Sequence, residues 1–181
     1  MPKTRRKISR EEKVEEVLEI AERMLREGGY EALSMAAIAR ELGVAQNAVY
    51  WYFPSRDDLF VATMHGMLGE ISARKPSKEV GDLERILWFT DQLQAIAGLM
   101  GAVGDRASRS PVVAEFAENL DMLLSRMLSN VLRPHVPAKE LPLAVESFRA
   151  TVEGTFVKGL GRKDRRRVLT FALRGLIDEQ G

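Results

Sequence analysis

SMAAIARELGVAQNAVYWYFPS, residues 34 to 55, is the stretch that decides the fold. Ser34 is a helix-capping residue type, and Ile38, Ala39 and Leu42 follow at helical spacing before Gly43 stops the segment. A second short helix is predicted from Gln46 to Tyr52, closed by Pro54, whose ring cannot continue the hydrogen-bond ladder. Two short helices joined by a glycine-bearing turn match the helix-turn-helix plan, in which the second helix enters the major groove of DNA and the first steadies it. Spacing alone also fits an ordinary three-helix bundle. Side-chain chemistry favours DNA, because Gln46, Asn47, Tyr50, Trp51 and Tyr52 crowd polar and aromatic groups onto a segment too short to bury them all. Gln and Asn pair bidentately with adenine, and tyrosine hydroxyls bond phosphate oxygens. Val49 and Phe53, at i and i+4, mark the buried side and leave Gln46, Asn47, Tyr50 and Trp51 facing outward.

Upstream, Ser9 and Glu12 have the spacing of a capping box, and Val14, Val17, Leu18, Ala21, Met24 and Leu25 continue as a helical stripe that Gly28-Gly29 ends. Downstream, Ser55 can cap a fourth helix with Asp57 and Asp58 in its first turn and Leu59, Phe60, Met64, Met67, Leu68 and Ile71 on its apolar side. The polar run from Lys75 to Lys78 is the clearest boundary. Beyond it the punctuation thins. One buried central helix is predicted from Leu83 to about Met100, followed by a stretch broken by Gly101, Gly104 and Pro111. Ser110-Pro111 starts a helix to about Leu132, and two last helices over about Lys139 to Leu160 and Asp164 to Asp178 meet at Gly161. No run of alternating β-branched residues accumulates, so the reading is all-α, with about nine helices. The expected division is a basic arm over 1–10, a helix-turn-helix domain over 11–55, and a helical ligand-binding and dimerisation domain over 56–181.

The 181 residues carry a net charge of +1, too little to attract nucleic acid unless the charge is localised. Lys3, Arg5, Arg6, Lys7 and Arg10 all precede the first acidic residue, which makes the N-terminal segment a cationic arm. Arg5, Arg6 and Lys7 are its candidate DNA contacts, in the minor groove or on phosphates. A second basic run, Arg162, Lys163, Arg165, Arg166 and Arg167, reads as a solvated turn and helix start. Three of these arginines follow Asp164 at the positive end of a helix, an unfavourable placement unless acidic groups of a partner subunit face them. The chain has no cysteine, and its two histidines, His65 and His135, lie far apart. With no phosphate-binding glycine loop either, the sequence points away from an enzyme and toward no metal and no cofactor. No apolar stretch approaches the ~20 residues needed to span a bilayer, and a cytoplasmic protein is expected. The rival to a DNA-binding regulator is a helical protein-interaction scaffold.

The segments GYEALSM (29–35), IARELGV (38–44), VYWYF (49–53) and SRDDL (55–59) together resemble the DNA-binding signature of the TetR/AcrR family of transcriptional regulators, over about Glu11 to Met64. The resemblance implies that Tyr50 and Tyr52 contact phosphates, that Gln46, Asn47 and Trp51 face bases or sugar, and that Ser34 anchors the preceding helix at the DNA backbone. Arg56 stands where the family usually has lysine, and its guanidinium still suits a phosphate. Ala45 and Ala48 stand where the family often has hydroxyl residues, which leaves more of the phosphate affinity to the arm, Arg40 and Arg56.

One helix-turn-helix buries little surface on DNA, so a homodimer reading two half-sites about 34–36 Å apart, or a multiple of that, is expected. Leu141, Val145, Phe148, Val152 and Phe156 on one terminal helix, with Val168, Ala172 and Leu176 on the other, are the candidate interface, across which two such pairs would form a four-helix bundle. The resemblance further implies a small effector held among the long helices. Trp88, Phe89, Leu93, Met100, Phe116, Met122 and Met127 are the candidate lining, with Asp91, Gln92 or His135 as polar handles. The expected partners are therefore operator DNA, a small-molecule effector and a second copy of the chain. Repression is expected from the family.

Overall fold

The computed structural model describes residues 9–77 and 79–178, and every regular element among them is a helix. In chain order these are α1 (Arg10–Ala32), α2 (Met35–Glu41), α3 (Gln46–Tyr52), α4 (Arg56–Ala73), α5 (Asp82–Gln94), α6 (Ala97–Ala107), α7 (Pro111–Leu132), α8 (Leu141–Val157) and α9 (Arg162–Asp178). The basic arm, with Arg5, Arg6 and Lys7, lies outside the described residues, as does Lys78.

The start of α1 follows from its sequence. The Glu12 backbone N–H donates to Ser9 Oγ at 3.1 Å, and the Ser9 N–H donates to a Glu12 carboxylate oxygen at 2.7 Å, so two of the helix's unpaired donors are satisfied reciprocally. The double glycine interrupts α1 without ending it. Gly29 sits at φ 66°, where a side chain would be strained, and a last turn carries the chain on to Ala32. That kink delivers Tyr30 and Leu33 into the core, where both are buried.

Two compact units divide the chain. The first takes the described residues up to Glu70 together with Gly98–Glu115, and the second takes Ile71–Ala97 with the residues from Phe116 onward. The sequence-based division at residue 55 had assigned α4 and α6 to the C-terminal domain; compactness places most of α4, and α6 from Gly98, with the N-terminal helices. In the first unit Val17, Ile20, Ala21, Leu25, Ile38, Val49, Leu59, Phe60 and Met64 are buried. The Tyr30 and Phe60 rings meet edge to face at 5.0 Å. In the second, Ile86 and Leu87 of α5, Leu132 of α7, Val145 and Phe148 of α8, and Leu169 and Leu173 of α9 form one core cluster.

The single helix expected from Leu83 to Met100 is two helices. The Ala95 N–H turns to Gln92 O and the Ile96 N–H to Leu93 O, each at 3.1 Å, so the ladder tightens from i+4 to i+3 bonds and breaks. Glycine does not break the next stretch, as had been expected. Gly98, Gly101 and Gly104 recur every third residue along the exposed side of α6, while Leu99 and Val103 anchor its other side. A helical glycine costs only about 1 kcal/mol relative to alanine, which a packed face offsets. α8 is shorter at both ends than the expected 139–160, and α9 begins two residues earlier than Asp164. Among the described residues no single helix is long and apolar enough to cross a membrane; α5 and α6 pass that test only when counted together across their break.

A candidate nucleic-acid interface

Ser34 accepts the Ala37 N–H at 3.3 Å and so caps α2. After α2, the Gly43 N–H reaches Arg40 O at 3.2 Å and the Val44 N–H reaches Ala39 O at 2.9 Å, the paired closure of a helix by a left-handed residue, with Gly43 at φ 65°. This turn packs α3 on α2. Val49 is 1% exposed and Phe53 8%, which fixes the inner side of α3 where the sequence placed it. Gln46, Asn47, Tyr50 and Trp51, at i, i+1, i+4 and i+5, are all exposed on the other side, Trp51 by 66%. Tyr52 is half-buried, its ring edge-on to Trp51 at 5.0 Å.

The N-terminus of α3 has no side-chain cap, as Ala45 dictates. Its uncapped N–H groups and the exposed amides of Gln46 and Asn47 are donors at the end of the helix that a groove would meet first. Arg40 is exposed at the end of α2. Glu41, beside it, is held by Arg23 of α1 at 2.6 Å.

Two arginines behave differently from expectation. Arg56 does not extend from the start of α4 as a solvated phosphate ligand. Its guanidinium lies 4.0 Å from the centre of the Tyr30 ring and donates to the Tyr30 carbonyl, with Glu31 3.5 Å away. Its Nε is buried without a hydrogen-bond partner among the described residues. The ring of Tyr30, just past the α1 kink, is what draws it in. Arg10, named in the sequence only as part of the arm, has its guanidinium 4.8 Å from the centre of the Trp51 ring. The first residue of α1 thus touches the outward face of α3.

A network that sequence reasoning missed joins Tyr30, Asp57 and Arg106. Asp57, in the first turn of α4, receives Arg106 Nε at 2.7 Å, an Arg106 Nη at 2.8 Å and the Tyr30 hydroxyl at 2.6 Å. Arg106 also stacks on Tyr30, 4.3 Å from the ring centre. The Arg106 hydrogen bonds, helped by those from Tyr30 and Ser110, outweigh burial and hold the Asp57 carboxyl down at about 2. Burial, with the hydrogen bond to Asp57, pushes the Tyr30 hydroxyl up to about 12. The network joins α1, α4 and α6 within one compact unit. Asp57 was visible in the sequence only as a favourable charge at a helix N-terminus. Arg106, 49 residues away, had no local signal pointing to it.

The residues named for an effector pocket are dispersed by environment. Leu93 and Phe116 are buried, Trp88, Phe89, Gln92 and Met100 are half-buried, and Met122, Met127 and His135 are exposed. Asp91 is not a spare polar handle. Arg162, Arg165 and Arg166 all reach its carboxylate, at 2.9, 2.9 and 2.8 Å. Arg165 is 2% exposed and adds bonds to Gln94 Oε1 and Leu160 O, so the second basic run is not simply a solvated turn. The acidic groups that face this run belong to the same chain and not to a partner subunit: Asp91 of α5 for Arg162, Arg165 and Arg166, Glu84 of α5 for Arg166, and Asp164, 3.6 Å away, for Arg167. Of the residues named for a dimer interface, Val145 and Phe148 are buried within the chain, with Leu141, Val152, Ala172 and Leu176 packed against the same core. Val168 is exposed and Phe156 half-buried. The stripe named for an interface is mostly internal core.

Residues 17–63 match the family model described as bacterial regulatory proteins, tetR family. The chain is 27% identical over 156 residues to the HTH-type transcriptional regulator BetI of Rhizobium meliloti (strain 1021), covering 78% of this chain and 75% of that protein. It is 28% identical over 154 residues to the HTH-type transcriptional regulator AcrR of Shigella flexneri, covering 75% and 70%. Its fold is shared with a transcriptional regulator from Saccharomonospora viridis solved in complex with choline, at a TM-score of 0.74 and 16% identity over 88% of this chain and 94% of that one. The matched segment contains α2, the glycine turn and α3 with its outward Gln46, Asn47, Tyr50 and Trp51. On these matches the chain is similar to TetR/AcrR-type regulators, with the likeness to the tetR family model confined to residues 17–63, and it is a DNA-binding transcriptional regulator.

Proposed function

We propose that the protein is a ligand-responsive repressor that acts in the cytoplasm by binding alone, as a homodimer on a pseudo-palindromic operator. The observation that carries this reading is the outward face of α3, where four polar or aromatic side chains stand exposed on the second helix of a glycine-turned pair. In this reading Gln46 and Asn47 address base edges, Trp51 addresses base methyl or sugar surface, and Tyr50 and Tyr52 bond phosphates. Ser34 and Arg40 hold the backbone beside α2, and the arm, with Arg5, Arg6 and Lys7, follows Arg10 to the adjacent groove. Arg56 contributes to the DNA backbone only if it leaves Tyr30.

A second copy supplies the second reading helix. The surface that suits it is the outer side of the α8–α9 hairpin, where Leu143, Val157, Val168 and Phe171 are exposed. The effector reading is supported by the choline complex of the Saccharomonospora viridis regulator, with half-buried Trp88 and Phe89 as rings suited to a quaternary ammonium group.

Fluorescence anisotropy with DNA flanking the gene, in excess random competitor and alongside nuclease footprinting, tests the reading. Protection of a pseudo-palindrome that Tyr50→Phe with Gln46→Ala abolishes would support it, as would release of that DNA by choline for the effector. Unaltered binding in the double variant would reject the assigned face and favour a scaffold.

A further inference from the structure

The outer side of the α8–α9 hairpin is patterned in charge as well as in apolarity. On α9 the exposed residues include Arg167, Phe171 and Arg174, spaced +4 and +3, and Phe171 is 82% exposed. They flank a shallow depression along this helix, shared with Val168. On α8 the exposed residues include Glu146, Ala150 and Glu153, with the same +4 and +3 spacing. Each pair of like charges is therefore seven residues apart, about 10.5 Å along its helix. One helix offers a large aromatic between two cations, and the other a small residue between two anions.

Within a single chain these two sets do not answer each other. Arg149 of α8 reaches α7, bonding Ser125 at 3.0 Å and also Asp121, and lies 3.7 Å from Glu146 of its own helix, as the exposed Arg167 lies 3.6 Å from Asp164 of its own. Arg165 and Arg166 of α9 face α5. The Glu146–Glu153 edge and the Arg167–Arg174 edge are thus turned to the outside of the hairpin. No atom lies within 4 Å of where a Cβ on Gly154 would stand, so nothing inside the chain requires glycine beside Ala150.

We infer that the occupant of this face is a second copy of the chain, registered by Arg167 and Arg174 of each protomer against Glu146 and Glu153 of its partner, with Phe171 seated on the partner's Ala150–Gly154 surface. This rests on the homodimer reading above and adds to it the residues that set the register. Two-fold symmetry places the α9 edge of one copy against the α8 edge of the other, and it does so twice. Matched spacing lets both charge pairs form together, whichever way the two helices run, to within about one residue rise, ~1.5 Å. A copy in a slipped register sets a cation against the small stripe and leaves a carboxylate without its partner.

Sedimentation equilibrium on the full chain tests this with the double variants R167E/R174E and E146R/E153R, each alone and mixed one to one. The expected result is that each variant alone self-associates at least about tenfold more weakly than the parent, and that the mixture recovers association as a heterodimer. Undiminished dimers in both variants would overturn the charge register and leave the homodimer reading standing. Weakened dimers that mixing does not rescue would overturn it as well. A parent chain that stays monomeric at all concentrations would remove the homodimer reading itself. Should either variant lose its helical circular dichroism, the parent in a salt series decides: dissociation that strengthens with salt supports the pairing, and a salt-independent dimer rejects it.

Discussion

Arg106 grips the Asp57 carboxylate with two nitrogens, at 2.7 and 2.8 Å, although 49 residues separate the two in sequence. The pair fastens α6 to the first turn of α4, three residues beyond the Phe53 that closes the reading helix α3. Side-chain exposures of 28% and 14% make it a shielded pair, and bidentate geometry makes it directional. Breaking it should therefore matter to stability and to the placement of α3.

Asp57→Asn and Arg106→Ala are each expected to cost about 2 kcal/mol at neutral pH, measured by urea denaturation. The pH dependence has a fixed sign. A carboxyl held at about 2 when folded, against 3.8 ordinarily, contributes stability that is complete above about pH 4 and is lost as pH falls through 2. The gap between the parent chain and Asp57→Asn should accordingly narrow from pH 4 to pH 2. A gap that stays constant over that range would assign the effect to shape and not to the charge of Asp57.

Tyr30 reports on the same network from the alkaline side. Its hydroxyl, pushed up to about 12 from 10.0, contributes stability that is present below pH 10 and is lost as pH rises toward 12. Ultraviolet titration of tyrosinate should show a component near pH 12 that Tyr30→Phe removes. That variant keeps the ring on which Arg56 and Arg106 stack, so its cost at pH 7 should stay near 1 kcal/mol.

On DNA, charge and hydrogen bonding should separate cleanly. Arg40→Ala removes a cation and should reduce the slope of log affinity against log salt by about one unit. Tyr50→Phe removes a neutral donor and should weaken binding about fivefold with the slope unchanged. Arg56→Lys keeps a charge but loses the planar stack on Tyr30, so it should lower thermal stability with little change in slope. A slope change for Arg56→Ala as large as that for Arg40→Ala would return Arg56 to the phosphate backbone.

The parts legible in the sequence are those fixed by local chemistry. The capping box at Ser9, the cap at Ser34, the turn at Gly43 and the inward Val49 and Phe53 all arise from residues within five positions of one another. The misreadings share a different cause. The break after Gln94 has no proline or glycine to announce it. Arg56, Asp91 and Arg165 looked like surface charges until partners 25 to 75 residues away were brought to them. The α8 and α9 stripes were read as interface because periodicity shows that a face is apolar, and not whether its partner belongs to the same chain.

The Asp91 cluster gives the sharpest contrast between equal-looking ion pairs. Burial acts to raise the Asp91 carboxyl, but hydrogen bonds from Arg166, Arg165 and Arg162 outweigh it and hold it below the ordinary carboxylate value. Arg162 is 72% exposed at its side chain and Arg165 only 3%, though both sit 2.9 Å from the same carboxylate. Arg162→Ala should therefore cost less than about 1 kcal/mol, because water replaces its partner. Asp91→Asn should cost about 3–5 kcal/mol, because Arg165 is left charged and buried with Gln94 Oε1 and Leu160 O as its remaining acceptors. Adding Arg165→Met to Asp91→Asn should recover part of that loss, since the second change removes the stranded charge. If the double variant were less stable than Asp91→Asn alone, packing of the Arg165 stem, and not its charge, would be what holds α9 to α5.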